Sequence, residues 1–222
     1  DNTFTLTLSD ETTIEAKSVI TATGASARWL DLPKKELFQG NGVSTCATCD
    51  GFFYKGDEVI VVGGGDSAME ESIFLTKYAD KVTVIHRRDE LRASKIMQDR
   101  FFAKDKTDIK WSTEVVEYLG DEDQGITGVV LHDNNTGEET RFDCDGVFLA
   151  IGHEPNTSFL EGLVDLDERG YVNTDDRTHT SCDGLFAAGD VQDKVFRQAV
   201  TAAGSGCKSA MEVEHYLDSL SV

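Results

Sequence analysis

The sequence lacks several features that would assign it to a membrane, a nucleic acid or a repeat architecture. No apolar run reaches the roughly 18 residues needed to span a bilayer, and no cleavable signal pattern opens the chain. Only 21 Lys and Arg stand against 41 Asp and Glu among 222 residues, so nucleic acid and anionic membranes would be repelled. The sequence contains no internal repeat, which argues against a solenoid. These absences predict a soluble protein that uses neither a membrane nor nucleic acid as its partner.

Cysteine usage also limits the function classes. Of the five cysteines, three stand alone in apolar or small-residue contexts, namely Cys144, Cys182 and Cys207. We expect these three to be buried or inert, as in a reducing, cytoplasmic compartment.

Apolar patterning predicts an α/β protein. Strands are expected at Phe4–Leu8, Ser18–Thr23, Glu58–Val62, Lys81–His86, Ile109–Leu119, Gly128–His132, Glu139–Phe142 and Gly146–Ile151. Helices are expected at Ser67–Tyr78, Glu90–Lys104 and Gln198–Leu220, the last interrupted at Ala202–Gly206, with a linker at Arg28–Gly42. The order is typical of a doubly wound domain with a β appendage. Because the first residues already alternate like a strand and no Met precedes them, we expect an N-terminally truncated chain.

A glycine-rich turn follows the predicted strand that ends at Val62. It reads Gly63-Gly64-Gly65-Asp66-Ser67-Ala68, which matches Gly-x-Gly-x-x-Gly/Ala. Glycines at Gly63 and Gly65 leave room for a pyrophosphate at the helix N-terminus, and a small residue at Ala68 allows close packing of helix and strand. The alternative is an ordinary strand-to-helix turn.

The end of the next predicted strand indicates which nucleotide is bound. An NAD-specific domain usually offers an acidic side chain there, whereas this chain offers His86-Arg87-Arg88, with Arg92 four residues beyond Arg88. Guanidinium groups can bind a 2′-phosphate through charge-assisted hydrogen bonds. We therefore expect NADP(H) in preference to NAD(H). The arginines could instead be surface charges that balance Asp89 and Glu90.

A dithiol motif, Cys46-Ala47-Thr48-Cys49-Asp50, lies shortly before the glycine-rich turn. Zinc would need two further ligands, and no second Cys or His pair has ligand spacing, so no metal is expected. Redox use needs a group that manages protons, and Asp50 is adjacent, although it could merely cap the following turn. Gly51-Phe52-Phe53 would give the sulfurs an apolar surround.

Taken together, these motifs resemble those of a known family. The segments Cys46–Phe53, Gly63–Ala68, His86–Asp89 and Gly189-Asp190 occur in its order. The chain closely resembles the low-molecular-weight, NADPH-dependent thioredoxin reductases of bacteria and archaea, over essentially its whole length.

The resemblance implies two Rossmann-like domains of the FAD/NAD(P)-disulfide reductase type, with an NADPH domain inserted into an FAD domain. Residues 1–28 would end the first FAD segment, 29–152 would form the NADPH domain with the dithiol, and 153–222 would form the returning FAD segment. The FAD domain would be incomplete in this chain, since the first FAD segment of the family carries its own glycine-rich turn.

The resemblance also implies a mechanism and further site residues. NADPH would reduce FAD, the flavin would reduce the Cys46–Cys49 disulfide, and the dithiol would reduce thioredoxin. Cys49, next to Asp50, is the candidate for the flavin-facing sulfur, and the cysteine that attacks thioredoxin is left open. A homodimer is implied as well. Further cofactor contacts are expected from Thr23, Gly24, Ala25, Ile151, Gly152, Gly189, Asp190, Arg197, Gln198 and Ala199.

Other functions remain as alternatives. A related NADH-dependent flavoprotein serves peroxiredoxin-type partners, but His86-Arg87-Arg88 argues against it, and also against the ferredoxin-dependent reductases, which do not recognise a nucleotide. The isolated chain could instead be a nucleotide-binding module without catalysis.

Overall fold

The computed structural model describes residues 3–220. The chain forms two compact units, one built from Asp1–Ser26 and His153–Val222 and the other from Ala27–Gly152. We call the first the split unit and the second the inserted unit. No helix in the described part of the chain combines the length and the apolar character that crossing a membrane requires.

The strands and helices follow one another along the chain in the order expected for an α/β protein. The strands are β1 Phe4–Thr7, β2 Thr13–Ala16, β3 Val19–Thr21, β4 Ala25–Ala27, β5 Val43–Ser44, β6 Glu58–Gly63, β7 Lys81–Ile85, β8 Thr107–Lys110, β9 Thr113–Asp121, β10 Gly125–Asp133, β11 Glu139–Asp143, β12 Gly146–Ala150, β13 His153–Pro155 and β14 Leu185–Ala187. The helices are α1 Lys35–Phe38, α2 Ala47–Asp50, α3 Asp66–Leu75, α4 Lys95–Phe102 and α5 Ala199–Ser219.

The inserted unit is built around a five-stranded parallel sheet in the order β5-β12-β6-β7-β8. Its central strand β6 carries the run Val59–Val62, which is buried throughout, as expected where both faces of a parallel sheet are covered. One buried cluster contains Phe38 and Tyr118, and another contains Met69 and Phe101. The strand-turn-helix order β6-α3-β7 is the arrangement that brings the glycine-rich turn to the carboxyl end of β6.

A three-stranded antiparallel sheet, β11-β10-β9, forms the predicted β appendage. The predicted single strand Ile109–Leu119 is wrong, because the chain breaks between β8 and β9. Ser112 has a left-handed φ of 51° at this break, and its N–H donates to the Arg88 carbonyl at 3.0 Å. The two halves therefore belong to different sheets.

Three other predicted elements are corrected. α4 begins at Lys95 instead of Glu90, because the preceding loop is hydrogen-bonded to Gly64 and Asp66. α5 runs without interruption through Ala202–Gly206, where Ser205 Oγ donates to the carbonyls of the preceding turn. The predicted linker Arg28–Gly42 contains α1, whose Phe38 is fully buried in the core of the inserted unit.

The split unit has a smaller core of its own. β3 and β14 pair in parallel with Ile20 opposite Phe186, and β1 and β2 form an antiparallel hairpin. Leu160, Val172 and Val191 are among its buried residues. The long helix α5 contacts both β3 and β14. The two strands predicted in the N-terminal segment of this unit, Phe4–Leu8 and Ser18–Thr23, are thus confirmed, although β3 is shorter than predicted.

Candidate functional site: a disulfide, a glycine-rich turn and a cavity lined by small residues

The two cysteines of the dithiol motif are joined in a disulfide, with a Cα–Cα distance of 5.3 Å. Cys46 is the N-cap of α2, and its Sγ accepts a hydrogen bond from the Cys49 N–H at 3.2 Å. Thr48 Oγ1 lies 3.4 Å from the same sulfur. Because a disulfide sulfur carries no proton, the Thr48 hydroxyl is the donor of that contact. Two donors therefore converge on Cys46 Sγ.

A buried serine links the disulfide to the neighbouring carboxylate. Ser44 Oγ accepts the Cys46 N–H at 3.0 Å and donates to Asp50 Oδ2 at 2.6 Å. Ser44 lies at the end of β5, which pairs with the central part of the sheet through β12. Sequence reasoning did not select this residue, although a hydroxyl two positions before a turn is a common way to fix local backbone.

The apolar surround expected of Gly51-Phe52-Phe53 is only partly present. The phenyl rings of Phe52 and Phe53 contact each other edge to face with centroids 6.2 Å apart, yet the residues are 66% and 76% exposed. Gly51 is tightly packed, since a Cβ there would lie 2.9 Å from Leu75 Cδ2. Within this unit, the two rings do not shield the disulfide from solvent as a closed pocket would.

The glycine-rich turn joins β6 to α3 as the sequence predicts. A Cβ at Gly63 would lie 2.6 Å from the Ala150 carbonyl oxygen and 2.8 Å from Ala68 Cβ. Ala68 is fully buried, which explains why a small residue stands in the third position of the motif. Gly65, by contrast, has open space on its Cβ side, and Ser67 is exposed.

Asp66 is exposed, but its carboxylate also binds the protein backbone. Its Oδ1 accepts the Ser94 N–H at 2.6 Å, which links the start of α3 to the start of α4. The hydrogen bond to Ser94 is thus a structural link between the glycine-rich turn and the loop before α4.

His86 is buried, whereas the three arginines that follow it are exposed. His86 is 5% exposed, and its Nε2 is 2.8 Å from the Glu90 carbonyl oxygen. Arg87, Arg88 and Arg92 are exposed. Within residues 3–220, none of the three guanidinium groups takes part in an ion pair.

The split unit contains a cavity of about 400 Å³. It is lined by Ala22, Gly24, Ala188, Gly189, Asp190, Gln198, Ala199, Ala202 and Gly206. Gly24, Gly189, Asp190, Gln198 and Ala199 were predicted from the sequence. Ala22, Ala188, Ala202 and Gly206 were missed. Their signal in the sequence is the high density of small residues, which lets a ligand approach the backbone closely.

Polar groups at this cavity are arranged for a ligand. Asp190 Oδ1 is buried and has no hydrogen-bond partner among the described residues. The N-terminus of α5 opens at the cavity and is fixed by a capping box between Gln198 and Thr201. Gly189 has a φ of 75°, and its N–H donates to Ser205 Oγ at 2.9 Å.

The remaining predicted cofactor residues do not line the cavity. Thr23 Oγ1 donates to the Asn156 carbonyl at 2.7 Å, Ala25 lies in β4, and Arg197 donates to the Lys194 carbonyl at 2.7 Å. Ile151 and Gly152 end the inserted unit, where the Gly152 carbonyl accepts the Arg28 N–H at 3.0 Å.

His153, which sequence reasoning did not select, is half-buried in the split unit. Burial and the positive charge of Arg197 lower the pKa of its imidazole, and the carboxylate of Asp190 acts in the opposite direction. The imidazole is therefore electrostatically coupled to a cavity-lining carboxylate.

The three other cysteines differ in their environments. Burial raises the pKa of the Cys144 thiol to about 12, with Asp145 and Asp143 adding to the effect. Cys182 is half-buried, whereas Cys207 is exposed. Of the expectation that all three are buried or inert, burial is confirmed for Cys144, and for the exposed Cys207 inertness stays a prediction. Among residues 3–220, no cluster of His, Cys, Asp and Glu has the arrangement of a metal site.

Comparison with known proteins identifies the family of the chain. The family model for pyridine nucleotide-disulphide oxidoreductases matches residues 1–206. The chain is 52% identical to a thioredoxin reductase of Rickettsia felis over 206 residues, covering 92% of this chain and 66% of the relative. It is 53% identical to a thioredoxin reductase of Mycolicibacterium smegmatis over 214 residues, covering 96% of this chain and 68% of the relative.

Solved structures of thioredoxin reductases also match this chain. The crystal structure of thioredoxin reductase from Streptococcus pyogenes matches with a TM-score of 0.90 at 46% identity, covering 96% of this chain and 69% of that chain. Thioredoxin reductase from Giardia duodenalis matches with a TM-score of 0.88 at 40% identity, covering 95% and 69%. The chain thus spans about two thirds of the length of these relatives. The predicted fold class is confirmed.

Proposed function

Because the chain belongs to the thioredoxin reductase family of pyridine nucleotide-disulphide oxidoreductases, we propose that it is the part of a thioredoxin-disulfide reductase that carries the redox disulfide. Electrons would pass from NADPH through FAD and the Cys46–Cys49 disulfide to oxidised thioredoxin. The observation that carries this proposal is the disulfide lying in the same unit as a dinucleotide-type turn and three exposed arginines.

NADPH is proposed for the inserted unit, within the NADPH domain assigned to residues 29–152. Gly63 to Gly65 would leave room for the pyrophosphate at the start of α3. The exposed guanidinium groups of Arg87, Arg88 and Arg92 suit the doubly charged 2′-phosphate, which NADH lacks. This charge supports NADPH over NADH and disfavours the NADH-dependent alternative.

FAD is proposed for the split unit, within the segments 1–28 and 153–222. The residues present suit a flavin, because the cavity is lined mostly by small residues and contains a buried acceptor, Asp190 Oδ1, for which residues 3–220 supply no donor. A ligand hydroxyl would satisfy it. When bound, FAD supplies two-electron chemistry that accepts from NADPH and donates to a disulfide.

The residues around the disulfide have separate proposed tasks. Reduction of the Cys46–Cys49 bond takes up two electrons and two protons and leaves two thiols. Asp50 would hold one of these protons for Cys49, and Ser44 would keep the Asp50 carboxyl in place. The Cys49 N–H and the Thr48 hydroxyl would stabilise a thiolate at Cys46.

These hydrogen bonds favour Cys46 as the cysteine that attacks thioredoxin. Its thiolate would displace one sulfur of the partner's disulfide and form a mixed disulfide. Cys49 would then attack Cys46 Sγ, which closes the intramolecular disulfide and releases the partner as a dithiol. Electrons and sulfur bonds balance, because one disulfide is formed for each disulfide reduced.

Oligomeric state and location are proposed with the same activity. A homodimer is supported by the exposed apolar side chains of Val195, Phe196 and Val200 in the split unit, and sedimentation analysis tests it. A cytoplasmic location is supported by the three cysteines outside the disulfide, which suit a reducing compartment.

The function is tested by supplying the protein with FAD, oxidised thioredoxin and either NADPH or NADH, and by following nucleotide oxidation. We expect thioredoxin-dependent oxidation that is faster with NADPH and absent in Cys49→Ser. A matched control is Cys207→Ser, which removes an exposed thiol outside the disulfide. Oxidation of NADH at equal or greater rate would contradict the proposed donor, and activity in Cys49→Ser would contradict the role of the disulfide.

A further inference from the structure

The short turn between α1 and β5 contains the one Asn-Gly step in the 222 residues, Asn41-Gly42. Within this turn, the Asn41 N–H donates to the Phe38 carbonyl at 2.9 Å. The Gly40 N–H donates to the Val43 carbonyl at 3.1 Å. Gly40 and Gly42 have left-handed φ values of 72° and 106°. Asn41 thus lies between two left-handed glycines in a tight turn, where it is half-buried.

The backbone nitrogen that follows Asn41 is available for chemistry. The Gly42 N–H has no hydrogen-bond acceptor among residues 3–220. The N–H groups that follow Asn134 and Asn135 are occupied by contrast, since both donate to Asp133 Oδ1, at 2.8 and 3.0 Å. A nitrogen that keeps its N–H in a hydrogen bond must break that bond before it can attack a neighbouring carbonyl carbon, and Gly42 has no such bond to break.

The carboxamide of Asn41 is held weakly. Its Nδ2 donates to the Glu122 carbonyl at 3.5 Å, which is beyond the usual range of an N–H···O hydrogen bond. Because glycine has no Cβ, no side chain at residue 42 obstructs the approach of its nitrogen to Asn41 Cγ. A larger residue does not fit there, since a Cβ at Gly42 would overlap Ile126. The fold therefore requires glycine directly after this asparagine.

We propose that Asn41 is a site of spontaneous deamidation, a modification to which the thermolabile side chain of asparagine is prone. The Gly42 nitrogen loses its proton to base and attacks Asn41 Cγ, which forms a succinimide. The Cγ–Nδ2 bond breaks, and the leaving nitrogen takes up one proton and departs as ammonia. Water then opens one of the two imide carbonyls and yields aspartate or isoaspartate. One water is consumed for each ammonia released, and nothing is oxidised or reduced.

The isoaspartate product would disturb the strand that follows. Its main chain runs through Cβ and Cγ of residue 41, so it is one atom longer than before. Val43 and Ser44 form β5, which pairs with β12, and the Gly42 carbonyl accepts the Val147 N–H at 2.8 Å. Because the turn is tightly packed at Gly42, it has little room for the added atom, and β5 must shift against β12.

A shift of β5 would reach the disulfide through Ser44. The Ser44 hydroxyl accepts the Cys46 N–H at 3.0 Å and donates to Asp50 Oδ2 at 2.6 Å. Both hydrogen bonds lengthen or break when Ser44 moves. The reaction at Asn41 itself needs no nucleotide, flavin or protein partner, so the inference goes beyond the proposed reductase activity.

The test follows the unsubstituted full chain during incubation in alkaline buffer, which favours loss of the Gly42 proton. Peptide mapping by mass spectrometry measures the amide at residue 41 and separates the isoaspartate and aspartate forms. Asn173 is the internal control, because the Thr174 N–H that follows it also has no acceptor within residues 3–220. Thr174 differs from Gly42 in carrying a β-branched side chain. A parallel sample in urea gives the rate for the unfolded chain.

We expect the Asn41 amide to be lost at least about tenfold faster than the Asn173 amide, because glycine leaves the attack unobstructed. In the isoaspartate form, the Val147 N–H should exchange with solvent at least about tenfold faster, since its acceptor at Gly42 is displaced. Asn41→Asp carries the charge of the product on a normal main chain and should leave this exchange unchanged. Asn41→Gln should abolish the modification, and Asn173→Gln should not affect it.

Loss of the Asn41 amide no faster than that of Asn173, or loss in urea only, would overturn the proposed site. Unchanged exchange of the Val147 N–H in the isoaspartate form would overturn its effect on β5. The time course requires no variant to fold, and none of these measurements depends on catalysis. A preparation that deamidates at Asn41 but reduces no thioredoxin would therefore contradict the proposed function alone.

Discussion

Ser44 Oγ donates a hydrogen bond to Asp50 Oδ2 at 2.6 Å while it accepts the N–H of Cys46 at 3.0 Å. One buried hydroxyl thus fixes both the backbone of the first cysteine and the carboxyl beside the second. The proposed proton transfer depends on this geometry, since general acid-base catalysis requires the group to lie within hydrogen-bonding reach.

Replacing Ser44 by Ala should lower kcat for thioredoxin reduction by about tenfold, a modest fraction of what a positioned acid or base contributes. The KM for NADPH should not change, because Ser44 contacts no residue of the proposed nucleotide site. Steady-state kinetics separate the two parameters. Ser219→Ala, at the end of α5, is the control. An unchanged kcat in Ser44→Ala would contradict the proposed role of the hydrogen bond.

Replacing Arg87 or Arg88 by Ser should weaken NADPH binding at least about tenfold per residue, since a hydrogen bond to a charged group contributes about 1.5–3 kcal/mol. NADH affinity should stay the same. The preference for NADPH should also fall as salt is added, because the guanidinium groups are exposed. Calorimetric titration at several salt concentrations measures the two affinities and the salt dependence of their ratio. Arg141→Ser, whose guanidinium pairs with Asp143 in β11, should leave the preference intact.

Replacing Asp190 by Ala should reduce flavin retention without destabilising the protein that lacks flavin. The reason is that Asp190 Oδ1 is buried and has no partner in the described chain, so its removal relieves a desolvation cost. Flavin content and urea unfolding of flavin-free protein measure the two effects. Loss of stability without loss of flavin would contradict the assignment of Asp190 to the cavity.

Stability should fall in alkaline solution because two buried acids resist ionisation. Burial raises the pKa of Cys144 from 9.0 to about 12 and that of Tyr118 from 10.0 to about 12. Above the ordinary pKa the unfolded chain releases the proton while the folded chain retains it. Stability is therefore lost as pH rises from about 9 to 12, by up to about 1.4 kcal/mol per pH unit for each group.

Chemical unfolding at several pH values tests this dependence. Cys144→Ala should remove the part of the slope that begins near pH 9, and Cys207→Ala should leave it unchanged, since Cys207 is exposed. A flat stability profile over this interval would contradict the burial of both acids.

How much could be predicted from the sequence depended on whether a feature is local. The strands β6 and β7 and the turn from Gly63 to Ala68 were predicted correctly, because continuous apolar runs and glycine spacing are local signals. The start of α4 was not predicted correctly. It depends on hydrogen bonds that the loop before it donates to the Gly64 carbonyl and the Asp66 carboxylate, and Ser94 and Asp66 are 28 positions apart.

The same distinction applies to the site. The Cys46–Cys49 pair was identified from its spacing alone. The task of Ser44 depends on strand β5 placing its hydroxyl beside Asp50, and the burial of His86 depends on contact with Gly64. Neither contact has a signature in the residue types, because serine is mostly exposed in proteins and histidine is intermediate, so burial of either depends on its tertiary neighbours.

The most direct test of the account is to trap the mixed disulfide with thioredoxin. Cys49→Ser leaves the Cys46 thiol unable to re-form the intramolecular bond, and a thioredoxin lacking its resolving cysteine, activated as a mixed disulfide with a small thiol, supplies the partner. The account predicts a covalent complex whose peptide map joins Cys46 to thioredoxin, and no complex in a chain that also carries Cys46→Ser. A complex formed through Cys144, Cys182 or Cys207, or none at all with Cys46 free, would contradict it.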